Sequence, residues 1–337
     1  MDEVVTPRTA LVVTTIAGPN DVLRSLAEGA LANQWPFYII GDVASPPDFS
    51  LSGARFLSVQ DQLATGLALA AECPLRHYAR KNIGYLLAMG EGASVIVETD
   101  DDNRPSPAFW SQRTFSRTAR LVQSGGWANV YAYFGDPPLW PRGFPLDCLR
   151  AKTPDFESMP ESPVYSPIQQ GLVDGDPDVD AIYRLTLPLP VRFRKSGSIA
   201  ISSNTWCPFN SQNTTWASEA FTLLYLPAYC SFRMTDIWRS FVAQRIADAN
   251  QWPILFHEAT VHQERGEHDL MRDFQDEIPG YLHNRSICET LARLDIKSGQ
   301  PRMRENLFLC YETLVAAGYL DQRELRLLGA WMEALPR

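Results

Sequence analysis

Several features that would assign the chain to a membrane, secretory or disulfide-rich class are missing from its 337 residues. No apolar run reaches the ~18 residues that a transmembrane helix needs. The first residues include two acids, Asp2 and Glu3, where a secretory signal would carry bases. The six cysteines form no C-x-x-C pair, which argues against a zinc knuckle or redox motif and favours buried thiols. We therefore predict a soluble, cytoplasmic protein without a membrane span.

Positive charge is also scarce, because 30 Lys and Arg residues face 39 Asp and Glu residues and give a net charge of -9. A broad nucleic-acid surface needs clustered Lys and Arg, so we expect no nucleic-acid partner. A phosphate ligand is still compatible with this balance, because a metal ion and a few local basic residues bind a diphosphate inside an acidic protein. The sequence also has no internal repeat and no low-complexity tract.

Short apolar runs alternate with amphipathic segments along the first hundred residues. We predict strands at residues 9–16, 37–40, 54–57 and 94–99, and a helix at about 76–89 that ends at Gly90. Ser58 with Asp61 predicts a capped helix start. This alternation indicates a largely parallel, doubly wound sheet, which binds ligands beyond the carboxyl ends of its strands. Thr14, Thr15 and Asp42 follow such strand ends.

The chain after residue 285 is predicted to be helical. Asp321 with Glu324 resembles a capping box for the last helix. We divide the chain into a main domain over 1–285 and a helical extension over 286–337. The last helix carries five apolar side chains that suit either the chain's own core or a second copy, so a homo-oligomer through these helices stays an alternative: Leu327, Leu328, Trp331, Met332 and Leu335.

The strongest chemical signal is the acidic run Asp100, Asp101 and Asp102, directly after the apolar strand that ends at Thr99. Adjacent carboxylates repel one another unless a positive charge compensates them. A divalent cation is the usual compensation, and Mg²⁺ and Mn²⁺ prefer oxygen ligands. The alternative is a solvated acidic turn, which is a common feature of surfaces.

Three further groups of residues suggest ligand contacts. Arg80, Lys81 and Asn82 precede the acidic strand and suit diphosphate oxygens, or else form a solvated basic face. The loop with Trp140 and Arg142 suits a sugar platform, or else is a Pro-stiffened surface loop. The third group consists of polar residues 210–215 with Asp236 and His262. Asp236 is either a helix N-cap or a catalytic carboxylate. His262 is either a core histidine or a metal ligand.

The order of these blocks resembles the STELLO-type glycosyltransferase-like family, and more distantly the reversibly glycosylated polypeptides, which are UDP-arabinopyranose mutases. Many blocks between about residues 8 and 284 carry the resemblance, among them VVTTI, IIGD, YARKNIGYLLAM, ETDDDN, LWPRGFPL, IQQGLVDGDPDVDAIYRLT, PFNSQNT, MTDIWRSFVAQRI and TVHQ. It implies a GT-A-like, Rossmann-like α/β fold with a mixed sheet and helices on both faces, and it makes residues 1–285 a nucleotide-sugar-binding catalytic domain.

The resemblance also implies roles for single residues. The metal, Mn²⁺ or Mg²⁺, would be held by Asp100, Asp101, Asp102 and His262. Catalytic roles fall to Asp236 and to Arg142, which matches the arginine that is glycosylated in the mutases. Donor-binding roles fall to Thr14, Thr15, Asp42, Arg80, Lys81, Asn82, Asp100, Asp101, Trp140, Asn210 and Asn213.

Three functions fit these signals. The first is a metal-dependent glycosyltransferase that uses a nucleotide-sugar donor, with a UDP-sugar favoured and an unknown glycan or small molecule as acceptor. The second is a nucleotide-sugar mutase, suggested by the RGFP match at Arg142. The third is a protein that binds a nucleotide-sugar without turning it over, or a scaffold.

Overall fold

The computed structural model of the chain describes residues 8–151, 154–202, 204–264, 266 and 269–336. Its strands in chain order are β1 (Thr9–Thr14), β2 (Phe37–Ile40), β3 (Arg55–Leu57), β4 (Val95–Thr99), β5 (Asn103–Pro105), β6 (Ser116–Val122), β7 (Gly126–Trp127), β8 (Glu161–Tyr165), β9 (Ile168–Gly175), β10 (Ile199–Ile201), β11 (Thr205–Trp206), β12 (Asn213–Ala217) and β13 (Ile254–Gln263). Its α-helices are α1 (Asp21–Ala32), α2 (Val59–Ala64), α3 (Ala68–Glu72), α4 (Lys81–Gly90), α5 (Tyr131–Phe134), α6 (Ala181–Thr186), α7 (Thr235–Ala249), α8 (Leu270–Ala292), α9 (Met303–Ala316) and α10 (Arg323–Ala334).

Eleven strands of the described chain form one mixed sheet. Their order is β3-β2-β1-β4-β12-β9-β13-β10-β6-β8, and β5 pairs with β13. The first four strands of this order are parallel, as the alternation in the first hundred residues predicts. β12 runs antiparallel to both β4 and β9, so the sheet as a whole is mixed. The strands β7 and β11 form a separate two-stranded sheet.

Helices cover both faces of the sheet, which β1 shows most clearly. Its residues Ala10 and Val12 pack into the larger core cluster, while Leu11 and Val13 pack into the second cluster. Helix α4 contributes to the first cluster and helix α1 to the second. A strand that is buried on both faces needs a continuous apolar run, which is why this segment carries TALVVT. The predicted α/β class with a mixed sheet is confirmed.

Two local predictions near α4 have different outcomes. The capping box of Ser58 and Asp61 is present at the start of α2. The helix predicted from about residue 76 begins only at Lys81. Arg76 has a positive φ of 57°, and a 3₁₀ turn spans Tyr78–Arg80. An L-residue in this left-handed conformation interrupts a right-handed helix, so the chain turns sharply before α4.

The C-terminal region differs from its prediction in one contact. Asp321 accepts a hydrogen bond from the amide of Arg323, but the carboxylate of Glu324 turns away from it toward the segment around Tyr229, so the capping box is wrong. The boundary at residues 285 and 286 falls inside α8, and the division into domains stays a prediction.

The apolar side chains of the last helix lie in the chain's own core. Leu327, Leu328 and Trp331 are each at most 1% exposed and belong to the larger core cluster. A second copy of the chain is therefore not needed to cover them, and the homo-oligomer stays an untested prediction. None of the helices in the described ranges combines the length and the apolar composition that crossing a bilayer requires.

Candidate active site

A cavity of about 660 Å³ opens at the carboxyl ends of β1, β2 and β4. This is the edge where the sequence predicts ligand binding, because the ends of neighbouring parallel strands meet there. The wall includes nine of the residues predicted from sequence: Thr14, Thr15, Asp42, Arg80, Asp100, Asp101, Asp102, Arg142 and Asp236.

Each carboxylate of the acidic run has a different partner. Asp100 accepts hydrogen bonds from the hydroxyl of Tyr78 at 2.7 Å and from Nζ of Lys81 at 3.1 Å. Asp101 accepts a hydrogen bond from the hydroxyl of Thr15. Burial raises the pKa of Asp101 and the charge of Asp100 adds to this rise, whereas the hydrogen bond from Thr15 opposes it. Lys81 thus compensates Asp100 with an ion pair, whereas Asp101 is held by a neutral hydroxyl.

Amide side chains adjoin the third carboxylate. Nε2 of Gln263 donates to Asp102 at 2.6 Å, and Nε2 of Gln212 donates to Oε1 of Gln263, also at 2.6 Å. Oε1 of Gln212 is buried and accepts no hydrogen bond from the described residues. In that part of the chain, no three His, Cys, Asp or Glu side chains form a complete metal cage. The wall instead offers carboxylate and amide oxygens, which are ligand types that Mg²⁺ and Mn²⁺ accept together with substrate phosphates.

A second charged group, formed by Arg142, Asp178 and Asp236, lies in the same wall. Nε and one terminal nitrogen of Arg142 donate to the two carboxylate oxygens of Asp178 at 2.7 and 2.8 Å. The same terminal nitrogen lies 3.0 Å from both carboxylate oxygens of Asp236. The other terminal nitrogen donates to the backbone carbonyl of Arg233.

The charges in this group stabilise one another. Burial disfavours ionised Asp178, but the charge and hydrogen bonds of Arg142 outweigh it and lower the pKa of Asp178 to about 2. Burial likewise opposes the charge of Arg142, yet Asp178 and Asp236 raise its pKa well above the usual value. Arg142 is therefore a saturated cation that holds two carboxylates, and it does not present a free nitrogen for glycosylation.

Asp236 is the second residue of α7 and faces the cavity. The N-cap of this helix is Met234, and no side chain caps it, so the N-cap interpretation of Asp236 is wrong. The amide and hydroxyl of Ser211 both lie 3.3 Å from Oδ2 of Asp236. The hydroxyl of Ser211 is also 2.7 Å from that of Tyr78, which connects Asp236 to the acidic run through two side chains.

The block Arg80, Lys81 and Asn82, which is predicted to bind the diphosphate, is bonded chiefly to groups inside the protein, although Arg80 also lines the cavity. The guanidinium of Arg80 donates to the backbone carbonyl of Cys73 at 2.9 Å and to Oε1 of Gln62 at 2.8 Å. Nζ of Lys81 is fully buried and also bonds the carbonyls of Thr99 and Ser211.

Asn82 and Trp140 are internal as well, and neither reaches the cavity. The amide of Asn82 exchanges two hydrogen bonds of 2.8 Å with the backbone of Leu226. Trp140 is 6% exposed and donates from its indole nitrogen to Asp180 at 2.7 Å, so it offers no open sugar platform. Both side chains are therefore structural.

Two asparagines predicted to bind the donor lie behind the cavity wall. Asn210 donates to Asp178 at 3.0 Å, so it helps to position the carboxylate that forms an ion pair with Arg142. Asn213 donates to the carbonyl of Leu172 and to the hydroxyl of Thr260, both at 2.9 Å, and these bonds join neighbouring strands.

His262 does not reach the acidic run. It is 43% exposed and lies 3.8 Å from Glu264. Adjacent side chains of a strand point to opposite faces, so Gln263, which contacts Asp102, takes the position that the sequence assigned to His262. His262 as a metal ligand is therefore not supported by the geometry.

Sequence reasoning missed several residues of the wall, among them Arg76, His77, Tyr78, Phe232 and Arg233. The guanidinium of Arg76 has no hydrogen bond or ion pair within the described residues. Phe232 is 52% exposed and meets the ring of His77 edge-on, with centroids 5.6 Å apart. A basic residue two positions before the YARKN block was a visible signal, but nothing in the sequence showed that Arg76 and Phe232 share a wall.

Comparison with known proteins adds sequence relatives to this geometry. The family model described as STELLO glycosyltransferases matches residues 233–337. The proteins named probable glycosyltransferase STELLO2 and STELLO1, both from Arabidopsis thaliana, are each 26% identical over 352 aligned positions. Each match covers 96% of this chain but only 44% of the relative, so the chain spans less than half of their length.

A solved structure also resembles the fold. It is glucosyl-3-phosphoglycerate synthase from Mycobacterium tuberculosis, in complex with Mn²⁺, UDP and glucosyl-3-phosphoglycerate. The TM-score is 0.44 and the identity 12%, over 83% of this chain and 80% of that chain. The sequence matches alone confirm the predicted resemblance: the chain is similar to the STELLO glycosyltransferases.

Proposed function

We propose that the chain is a metal-dependent glycosyltransferase that takes its sugar from a nucleotide-sugar donor, with a UDP-sugar as the first candidate. The observation that carries this proposal is one cavity of about 660 Å³ whose wall holds both the acidic run and Asp236. Cavities of roughly 300–1,000 Å³ suit small-molecule ligands. The probable glycosyltransferases among the relatives support the same reaction class.

The oxygen ligands for Mn²⁺ or Mg²⁺ would come from Asp100, Asp102 and Gln212. The buried amide oxygen of Gln212 supports this assignment, because such an atom normally has a partner. When bound, the metal would neutralise charge on the leaving diphosphate. Asp101 keeps Thr15 in place instead, and Thr14, Thr15 and Asp42 line the part of the cavity next to β1 and β2.

Arg76 is the side chain we assign to the diphosphate in place of Lys81. Arg76 lines the cavity and is exposed, and no acid of the described chain forms an ion pair with it. Charge-assisted hydrogen bonds from arginine to phosphate are about twice as strong as neutral ones. Asp42 accepts the backbone N–H of His77 at 2.9 Å, which fixes the turn that carries Arg76.

Asp236 is the candidate base. Arg142 and Ser211 fix its carboxylate at the cavity wall. In the reaction it would accept the proton of the acceptor hydroxyl, whose oxygen forms a bond to the anomeric carbon as the bond from that carbon to the diphosphate breaks. The acceptor is a glycan or a small molecule with a free hydroxyl. The mutase alternative gains no support, because all nitrogens of Arg142 are engaged.

The proposal is tested by titrating UDP into the protein with and without Mn²⁺, and by measuring UDP release from UDP-sugars. We expect metal-dependent binding that Asp102→Asn weakens at least tenfold, because the variant removes one ligand charge. Asp48→Asn, at an exposed loop position, is the matched control.

The second variant separates binding from chemistry. We expect Asp236→Asn to keep donor binding but to lower turnover by about 10²–10⁴, the usual contribution of a general base. Absence of any metal-dependent nucleotide binding by the unchanged protein would refute the proposed function.

A further inference from the structure

Helix α10 contacts the chain next to two of the segments that line the cavity, although no residue after Gln263 lines it in the described chain. The first wall segment is residues 75–78, which include Arg76. The second is residues 228–236, which include Arg233 and Asp236. Helix α10 contacts the region next to each of them.

Glu324 of α10 holds the second wall segment. Its side chain is fully buried. It accepts the backbone N–H of Tyr229 at 2.7 Å and that of Ala228 at 3.1 Å, together with the hydroxyl of Tyr225. The carbonyl of Tyr229 in turn accepts the N–H of Asp321 at 3.2 Å. Three residues after Tyr229 the chain reaches Phe232, and α7 follows directly.

The first wall segment is supported through α3. Arg326 of α10 forms an ion pair of 2.5 Å with Glu72 at the end of α3, and both helices contribute to the larger core cluster. Arg80 bonds the carbonyl of Cys73 just after α3. Residues 75–78 thus lie between a helix that α10 contacts and a buried arginine, so α10 adjoins the chain next to both wall segments.

We propose that Glu324 is a positioning residue for the candidate active site, because it fixes the turn that sets where Arg233 and Asp236 lie relative to the acidic run. The inference rests on the proposed function only for the identity of the ligand, and the effect of Glu324 on the turn does not depend on it. Glutamine at this position has only one acceptor oxygen, so the hydroxyl of Tyr225 loses its acceptor when that oxygen faces the two backbone N–H groups. The loss of this bond would loosen the turn.

Protonation gives a readout that a purely structural residue would not have. Burial raises the pKa of Glu324 to about 7, whereas its three hydrogen bonds oppose that rise. The turn is therefore held by a group that changes charge near neutral pH. The other titratable groups that interact with Glu324 are Tyr225, Tyr311, Cys73, Cys230 and Asp321.

The test compares Glu324→Gln with Glu333→Gln, an exposed position on the same helix. The measurements are hydrogen exchange of peptides over residues 225–236, and UDP affinity in Mn²⁺ between pH 6 and 8. We expect faster exchange in that segment, an affinity about tenfold weaker, and a flatter pH dependence in Glu324→Gln alone. Unchanged exchange and affinity in a folded variant would overturn the inference.

Two further outcomes are distinguishable. If the unchanged protein binds no UDP, the proposed function fails, while the exchange of residues 225–236 still tests Glu324. If Glu324→Gln does not fold, Tyr225→Phe removes one hydrogen bond to the carboxylate and leaves the backbone donors. Increased exchange in the same segment then supports the role of Glu324, and unchanged exchange contradicts it.

Discussion

Arg76 differs from the other arginines of the cavity wall in its partners. Arg142 and Arg233 each hold buried acids, and Arg80 is surrounded by carbonyl and amide oxygens. Within the described residues Arg76 makes no such contact, and its backbone lies in the left-handed region at φ 57°. A non-glycine residue in that region occurs where the surrounding structure requires it, frequently at ligand sites. The turn therefore presents a cation to the cavity at some conformational cost.

We predict that Arg76→Ala weakens UDP binding in the presence of Mn²⁺ about tenfold, because one charge-assisted hydrogen bond to phosphate is lost. Isothermal titration of UDP measures the effect, and uridine, which lacks phosphate, should bind both proteins equally. Arg192→Ala, at an exposed position away from the cavity wall, controls for loss of net charge. Equal UDP affinity of Arg76→Ala and the unchanged protein would exclude Arg76 from the phosphate site.

The turn between α3 and α4 depends on a neutral histidine. Nδ1 of His77 accepts the N–H of Ala79 at 3.0 Å, so this nitrogen carries no proton. Burial lowers the pKa of His77 from 6.5 to about 4, and the charge of Asp42 opposes this only partly. Protonation would break the bond to Ala79 and place a charge in a half-buried site next to Phe232.

We predict that this element loses stability as the pH falls from about 6.5 to 4. The unfolded state binds a proton in that window and the folded state does not, so the free energy of unfolding rises with pH there. The contribution of His77 is at most about 3 kcal/mol. Urea unfolding at several pH values measures it, and His77→Asn, which still offers an acceptor to Ala79, should show a shallower slope. An unchanged slope would mean that His77 titrates normally in the folded protein.

Predictions from the sequence succeeded where the signal was local. The apolar run of β4 and the acids directly after it are adjacent in the chain, so their place at a strand end followed from periodicity alone. The internal bonds of Lys81 and Asn82 were not predictable, because partners of both residues are remote in the sequence. The carbonyl that Asn82 bonds belongs to Leu226, 144 positions away. No local pattern distinguishes a polar side chain that binds a ligand from one that binds a distant backbone.

Strand order followed the same rule. The parallel strands β1 to β4 were predictable from alternation with helices, whereas the insertion of β12 between β4 and β9 depends on contacts across more than a hundred residues. Gln263, and not His262, contacts the acidic run because side chains alternate between the two faces of β13. A shift of one residue therefore reverses the face. A resemblance between motifs does not define a strand position that finely.

The extension and the main sheet share one core. Trp331 of α10 is fully buried in the cluster that also holds Val12 of β1, and its indole nitrogen donates to the carbonyl of Thr222 at 3.2 Å. Residues on both sides of the predicted boundary at 285 therefore lose their packing together. At the scale of the whole molecule, we expect the described chain to unfold as one unit.

We predict a single urea transition that tryptophan fluorescence and circular dichroism report at the same midpoint. Trp331→Ala should lower the free energy of unfolding by about 3–5 kcal/mol and shift the whole transition. Met332→Ala, at a half-buried neighbour, should have a smaller effect. Two separate transitions, with only one sensitive to Trp331→Ala, would show that residues 286–337 fold independently.

The internal role of Arg80, Lys81 and Asn82 has a consequence for the evolution of such chains. Selection for folding alone suffices to keep this block, because each member satisfies buried carbonyl or amide groups. Under the proposed function, a descendant that had lost sugar transfer would therefore retain this block, whereas Arg76 and the proposed oxygen ligands of the cavity would be free to change. The YARKN motif would then mark ancestry, and the cavity residues around Arg76 would mark retention of the proposed activity.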